Sequence, residues 1–250
     1  MSKRATSAAV SQPEVPLDTK VRPSRAPGVS TFEVLLETAA EILMEVGFEG
    51  LTTNDICKRA GMTPPALYRY FPNKFAVLSE LGRRLMAAQD EVVFNWLDAG
   101  GLTAGPVETR VESTRRLQTE VNAVTRRHTG AMWILRALHA VPMLQQVRIE
   151  SREGVAARVM PVLRKMYPHV PLQQLMMADR LASELMYSAM EMAMESPEQE
   201  EPMITEEACW MVCLYYDRLS KRYPPPASRS GAAARRGKAK ISPRARAKAR

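Results

Sequence analysis

A chain of 250 residues with 46% hydrophobic content can bury a substantial core, enough for a small head and a larger partner domain. Its net charge of +8 is carried by the ends: residues 1–30 hold five bases against two acids, nine bases and no acid follow Tyr223, and the part between has 21 bases and 25 acids. Three cysteines give no disulfide framework, and neither a membrane-length apolar run nor a signal-peptide core is present, so the reading is a reduced, cytoplasmic protein with no membrane partner.

Residues 1–29, rich in Ser, Pro and Ala, are expected to form a disordered basic arm. A helix is predicted from Phe32 to Val46, with Ser30 and Glu33 as a capping box and Gly47 as the left-handed residue that ends it. Phe32, Leu35, Leu36, Ala39, Ile42, Leu43 and Val46 form its buried face. Glu33, Glu37, Glu41 and Glu45 run down the other side, a stripe that must be solvated or paired with bases and cannot face phosphates. A second helix begins at Thr52 or Thr53, with Asp55 in its first turn. Gly61 makes a turn, and Thr63 caps a third helix that has Pro64 in its first position and ends before Pro72. Ile56, Met62, Leu67 and Phe71 belong in the core, whereas Tyr68, Arg69 and Tyr70 cannot all be buried. Two short helices about a Gly turn, the second presenting aromatic and basic groups, have the layout of a DNA-reading helix-turn-helix.

Helices are then predicted from Lys74 to about Asp98, Val107 to Arg127, Ala131 to His139, Pro142 to about Met166 with a kink near Pro161, Pro171 to Glu195, and Thr205 to Arg222. No useful strand-period stretch occurs. The expected fold is all-α: a three-helix head over residues 30–76, a bundle of about six helices over 77–223, and a disordered basic tail over 224–250. Sixteen methionines are many. Met132, Met143, Met160, Met186 and Met190 either line a deformable apolar pocket or simply fill a helical core. Trp96, Trp133, Arg136, His139 and Tyr187 are the groups that could orient a ligand there. On the last two helices, Leu175, Ala178, Ala182, Leu185, Ala189 and Ala193 form a small-residue seam, and Ala208, Met211, Val212, Tyr215 and Leu219 form another. Paired with their symmetry mates they would make a four-helix dimer interface, and an intramolecular core is the other reading.

The ordered string Gly-Phe-Glu-Gly-Leu-Thr-Thr-Asn-Asp-Ile from Gly47, Ala-Gly-Met-Thr from Ala60, and Ala-Leu-Tyr-Arg-Tyr-Phe-Pro-Asn-Lys from Ala66 resembles the N-terminal domain of the tetracycline-repressor (TetR/AcrR) family across residues 31 to 78. The resemblance implies a phosphate contact for Thr53, a base-edge role for Asn54, and a base-facing first turn at Thr63, Pro65 and Ala66. It also implies phosphate contacts for Tyr68, Tyr70 and Lys74. Arg69 is the candidate for a guanine, since Arg pairs bidentately with its major-groove edge. The chain departs from the family at the double proline, which leaves apolar surface suited to thymine methyl groups. It departs again at Phe32, where a basic residue is common; Lys20, Arg22 and Arg25 of the arm are expected to supply those phosphate contacts. The family builds its dimers from the last two helices, in agreement with the seam.

The implied function is a ligand-responsive transcriptional regulator, a repressor that binds a palindromic duplex DNA operator as a homodimer and answers to a small apolar or amphipathic effector. The alternative is an architectural DNA-binding protein dominated by its basic tails. An enzyme is disfavoured: the three histidines lie far apart, no Gly-rich phosphate loop precedes a helix, and no metal-ligand spacing appears, so neither a catalytic group, a metal nor a cofactor is expected. The tail separates the two DNA-binding readings. Truncation after Tyr223 is expected to weaken binding to unrelated duplexes more than binding to an operator, and the difference should fade as salt rises. Gel-shift competition across a salt series measures this, and a loss of operator preference itself would favour the architectural reading.

Overall fold

The structure, a computed structural model, describes residues 15–225. Among these residues it is all-helical, with nine α-helices: α1 Ala26–Gly50, α2 Thr53–Arg59, α3 Pro64–Tyr70, α4 Lys74–Asp98, α5 Val107–Arg127, α6 Ala131–Ala140, α7 Gln145–Met166, α8 Leu172–Glu195 and α9 Glu201–Arg222. The basic tail from residue 226 onward and the first 14 residues of the arm lie outside the described residues.

The first three helices follow from local chemistry. In α2, the Thr52 hydroxyl accepts from the Asp55 amide at 3.1 Å and donates to the Asp55 carboxylate at 2.6 Å, so one residue pair closes the helix start. α3 begins after Thr63, but that side chain makes no cap bond, because Pro64 and Pro65 have no N–H and the Ala66 amide is taken by the Thr63 carbonyl at 2.9 Å. Two departures concern α1. It starts at Ala26 with Pro27 in its first turn, six residues before the expected Phe32, so Ser30 lies inside the helix and is not a cap. The stretch before it is placed against the head, in contrast to the expected disordered arm. The Lys20 amide donates to the Tyr70 carbonyl at 2.8 Å, Asn73 donates to the Pro16 carbonyl at 2.9 Å, Asp18 pairs with Arg83 at 2.7 Å, and Leu17 packs on the core. Backbone bonds and one apolar anchor hold this segment where its composition alone suggested none.

α1 breaks at Gly47, whose φ of 70° and ψ of −179° are left-handed and non-helical. A Cβ there would lie 3.1 Å from the Trp133 ring of α6. The carbonyls left over after the break are collected by Lys74, at the start of α4, whose ammonium donates to the Phe48, Glu49 and Leu51 carbonyls at 3.2, 3.3 and 3.0 Å. Glu33 and Glu45 of the acidic stripe bind Arg84 and Arg59, and Glu37 and Glu41 stay exposed.

α4 joins the head to the six-helix body. One apolar cluster runs from Phe32, Leu36 and Leu43 through Leu67 and Phe71 into Leu78 and Leu85 of α4, then to Leu135 and Leu138 of α6 and Met190 of α8. Gly82 lets α6 approach α4 closely, since a Cβ would meet Leu138 at 2.8 Å. Head and body therefore share one core. Beyond it, α8 and α9 pack together with α5 across α9, around Leu163, Leu175, Ala178, Tyr216 and Leu219. Arg110 of α5, nearly buried, donates to the Tyr167 hydroxyl at 3.0 Å and pairs with Asp217 of α9.

Gly47→Ala should cost about 1–2 kcal/mol from the left-handed backbone alone, with further loss as Trp133 is displaced. Urea unfolding of the two proteins measures the difference, and equal midpoints would show that the break imposes no such requirement.

Candidate functional site

The outward face of α2 and α3 carries most of the DNA-binding candidates. Asn54, Thr63, Pro65 and Arg69 are exposed, and Thr53 and Ala66 are half-buried at the same surface. Tyr68 is 40% exposed, and its hydroxyl lies 3.1 Å from that of Thr53, so the two form one polar unit bridging the helices. Leu67 and Phe71, fully buried, hold α3 against α1, with Phe71 stacked on Phe32 at 4.9 Å. Phe32 thus occupies the position of the expected base because the core uses its ring.

Two assignments are corrected. Tyr70 was expected at a phosphate, yet it is only 5% exposed and meets Phe32 edge-on at 5.5 Å. Helical geometry sets this outcome, because residue 70 lies three positions after buried Leu67 and shares its inward face. Lys74 was also expected at a phosphate, but its ammonium has three donors and all three are aimed at the carbonyls below Gly47. Its positive charge sits at the negative end of α1. Of the arm cations, Arg22 pairs with Glu80 at 3.2 Å while remaining largely exposed, and Lys20 and Arg25 are exposed beside the head.

A cavity of about 190 Å³, open at one side, lies in the body between α4, α5, α7, α8 and α9. Of the pocket candidates, Trp96, Tyr187, Met186 and Met190 line it. The other candidates lie elsewhere. Met132 and Met143 pack on the main core and Met160 on the far cluster. Trp133 seats on Gly47, with Arg136 4.8 Å above its ring and bound to Glu195 at 2.6 Å. His139 faces Glu191 at 3.2 Å on the exposed side of α6 and borders a shallow polar pocket with Arg148, Arg180 and Glu184. A methionine count could not say which helix face each side chain would take.

The cavity's charged groups were missed. Asp90 accepts from the Ser151 hydroxyl at 2.7 Å, and burial pushes its carboxyl above the usual aspartate range. Asp179 of α8 is raised to about 6 by burial. The signal was available: both acids interrupt apolar helical spacing, Asp90 between Met86 and Val93, Asp179 between Leu175 and Ala182. Burial also raises the Tyr187 hydroxyl to about 12, while that group donates to the Gln89 side-chain oxygen at 3.4 Å.

The seam on α8 and α9 needs the same correction. Leu175, Ala178, Ala189 and Ala208 are buried within this chain, Ala182 and Val212 line the cavity, and Leu185 and Tyr215 are half-buried. Small residues were drawn to the close packing of α8 on α9. Exposed apolar side chains stand one face over: Met176, Met177, Leu181 and Met192 on α8, Met203, Met211 and Leu214 on α9, with Leu181 53% and Met211 58% exposed. Among the described residues, no helix is long and apolar enough to cross a membrane, no group of three His, Cys, Asp or Glu is placed to hold a metal, and the three cysteines are free and buried.

Residues 35–81, from within α1 into α4, match the family model described as bacterial regulatory proteins, tetR family. The chain is 44% identical over 54 residues to the class C tetracycline repressor of Escherichia coli, covering 22% of this chain and 25% of that one. It is 29% identical over 146 residues to the HTH-type transcriptional repressor DrrR1 of Streptomyces coeruleorubidus, covering 58% and 49%. The matches thus span a quarter to a half of these relatives' lengths. In fold, it resembles a transcriptional-regulator structure from Pseudomonas aeruginosa PAO1, with a TM-score of 0.62, 16% identity and coverage of 80% of this chain and 97% of that one. A TetR-family regulator from Streptomyces coelicolor gives a TM-score of 0.52 at 22% identity, covering 76% and 99%.

The cavity acid has a consequence for stability. Its folded-state value of about 6 exceeds the ordinary 3.8, so the folded chain holds the Asp179 proton more tightly than the unfolded one. That contribution is complete below the ordinary value and is lost as pH rises through the folded value. Asp179→Asn should therefore stabilise the chain at pH 8 by on the order of 2 kcal/mol, with the gain vanishing near pH 3. Denaturant midpoints of both proteins at the two pH values measure it, and an equal gain at both would show that ionisation is not the cause.

Proposed function

We propose that the chain, whose residues 35–81 match the tetR family of bacterial regulatory proteins, is a ligand-responsive DNA-binding regulator of transcription, a repressor that grips a two-fold symmetric operator as a homodimer. The observation that carries this reading is an outward α3 anchored on a core that continues into a body with a cavity. In this reading Arg69 reads a guanine edge, while Pro65 and Ala66 present apolar contact to thymine methyls and Asn54 and Thr63 reach neighbouring edges. The paired hydroxyls of Thr53 and Tyr68 hold phosphates and set register. Exposed Lys20, whose amide is bound to the end of α3, and exposed Arg25 add positive charge to the head, while Arg22 is shared with Glu80.

The dimer is assigned to the exposed methionines and leucines of α8 and α9. Large exposed apolar patches mark association surfaces, and two copies of a helix pair make a four-helix interface. An occupied cavity shifts the heads only through a difference in affinity between two conformers. α4 borders the cavity and binds α1 through Lys74, so a change at one end is felt at the other. The free buried thiols suit the reducing cytoplasm.

Selection of random duplexes on the full chain tests the reading. The expected product is a palindrome bound by two chains, with half-sites about 34–36 Å apart or a multiple of it. Arg69→Ala should then weaken that site by about 1–3 kcal/mol and relax one base pair in each half. A selection that enriches no sequence overturns the operator reading, and an equal loss on every duplex makes Arg69 a phosphate contact.

A further inference from the structure

The cavity wall is mostly apolar and aromatic, with valines and leucines between Trp96, Tyr187 and Tyr216. Three charged side chains interrupt it: Asp90, Arg152 and Asp179. Asp90 takes the Ser151 hydroxyl at 2.7 Å. Arg152 is neutralised by Glu184 at 3.1 Å, and Arg148, next along α7, shares that carboxylate at 3.0 Å. Asp179 differs from both. No side chain among the described residues donates to its carboxylate, and the one bond near it runs from the Ser183 hydroxyl to its backbone carbonyl at 3.0 Å. Burial is the whole cause of its raised value.

That arrangement discriminates between ligands by charge. A neutral apolar body that displaced water here would leave the Asp179 carboxylate desolvated with no partner, which is strongly unfavourable. An anion would add repulsion from two carboxylates, and the cations of α7 are already engaged. A cation with an apolar body offsets the desolvation cost, because it supplies the missing charge as it fills the space. Aromatic faces add to this, since Trp and Tyr rings attract organic cations.

We propose that this cavity takes an amphipathic organic cation, its charge held by Asp179 and its apolar body against Trp96, Tyr187 and Tyr216. The assignment rests on the reading of the body as an effector domain and names the ligand class for it.

Calorimetry on the full chain at pH 8 without DNA tests it with two probes of matched shape and opposite charge, tetraphenylphosphonium and tetraphenylborate. The cation should bind once per chain, at least about tenfold tighter than the anion. Asp179→Asn removes the charge while keeping the shape. It should lower cation affinity about tenfold and leave the anion unchanged or tighter. Since this variant is expected to be more stable at that pH, the loss cannot be put down to unfolding. Ala182→Phe, which fills the space, should abolish binding of the cation by wild-type charge alone. Equal affinity for both probes, preference for the anion, no binding by either, or an Asp179→Asn variant that keeps the full cation preference overturns the proposal. A chain that takes the cation through Asp179 yet holds its selected DNA unchanged supports this assignment and removes the ligand response instead.

Discussion

The break in α1 at Gly47 is the constraint on which the rest of the arrangement depends. A helix that ran on would carry its last carbonyls away from the head. Stopping it with a left-handed residue turns the Phe48–Leu51 segment back so that Leu51 is fully buried and three carbonyls converge on Lys74. The same residue, lacking a Cβ, lets the Trp133 ring close over it. One position therefore ties α1 to α4 through charge and to α6 through packing. The orientation of α2 and α3 follows, since both are fixed to α1 by Ile56, Leu67 and Phe71.

The body balances a different pair of demands. Its lower half packs α8 on α9 with small residues at the contact, whereas its middle leaves a cavity lined by two half-buried carboxyls. Unfilled space and partly desolvated acids both work against stability. The deep apolar cluster above and the Arg110–Asp217–Tyr167 group below bracket this weak zone. Between them, Arg136 joins the end of α8 to the Trp133 ring, so the cavity wall and the Gly47 break are linked by a short chain of contacts.

Much of the fold was legible because helix signals are local. Thr52 caps where its side chain predicts, and the span Lys74–Asp98 follows from apolar spacing, its start closed by Asn73 accepting from the Ala76 amide at 2.9 Å. The start of α1 was misread because Pro27 in a first turn is as good a signal as the Ser30 capping box, and only packing decides between them. At the site, outward placement was legible, as for Arg69 and Pro65, both exposed. It was not legible where two helices compete for a side chain. Tyr70 and Lys74 are drawn inward by Phe32 and by the α1 carbonyls, partners that sit more than twenty residues away in sequence. Most of the expected seam is buried within the chain for a related reason, with Met211 left exposed: small residues favour close helix packing whether the neighbour is the same chain or another.

The three tryptophans occupy three different places. Trp96 forms the cavity wall and donates to the Ser113 hydroxyl at 3.1 Å, Trp133 covers the Gly47 break beneath an arginine, and Trp210 lies half-buried on α9 beside Val111 and Cys209. Indole emission shifts with the polarity around the ring, so each reports on a different region. Versions of the chain that retain a single tryptophan divide its natural fluorescence into separate optical channels for the cavity, the junction and the outer helix. Timing those channels against one another would order the motions within one molecule, with no attached dye.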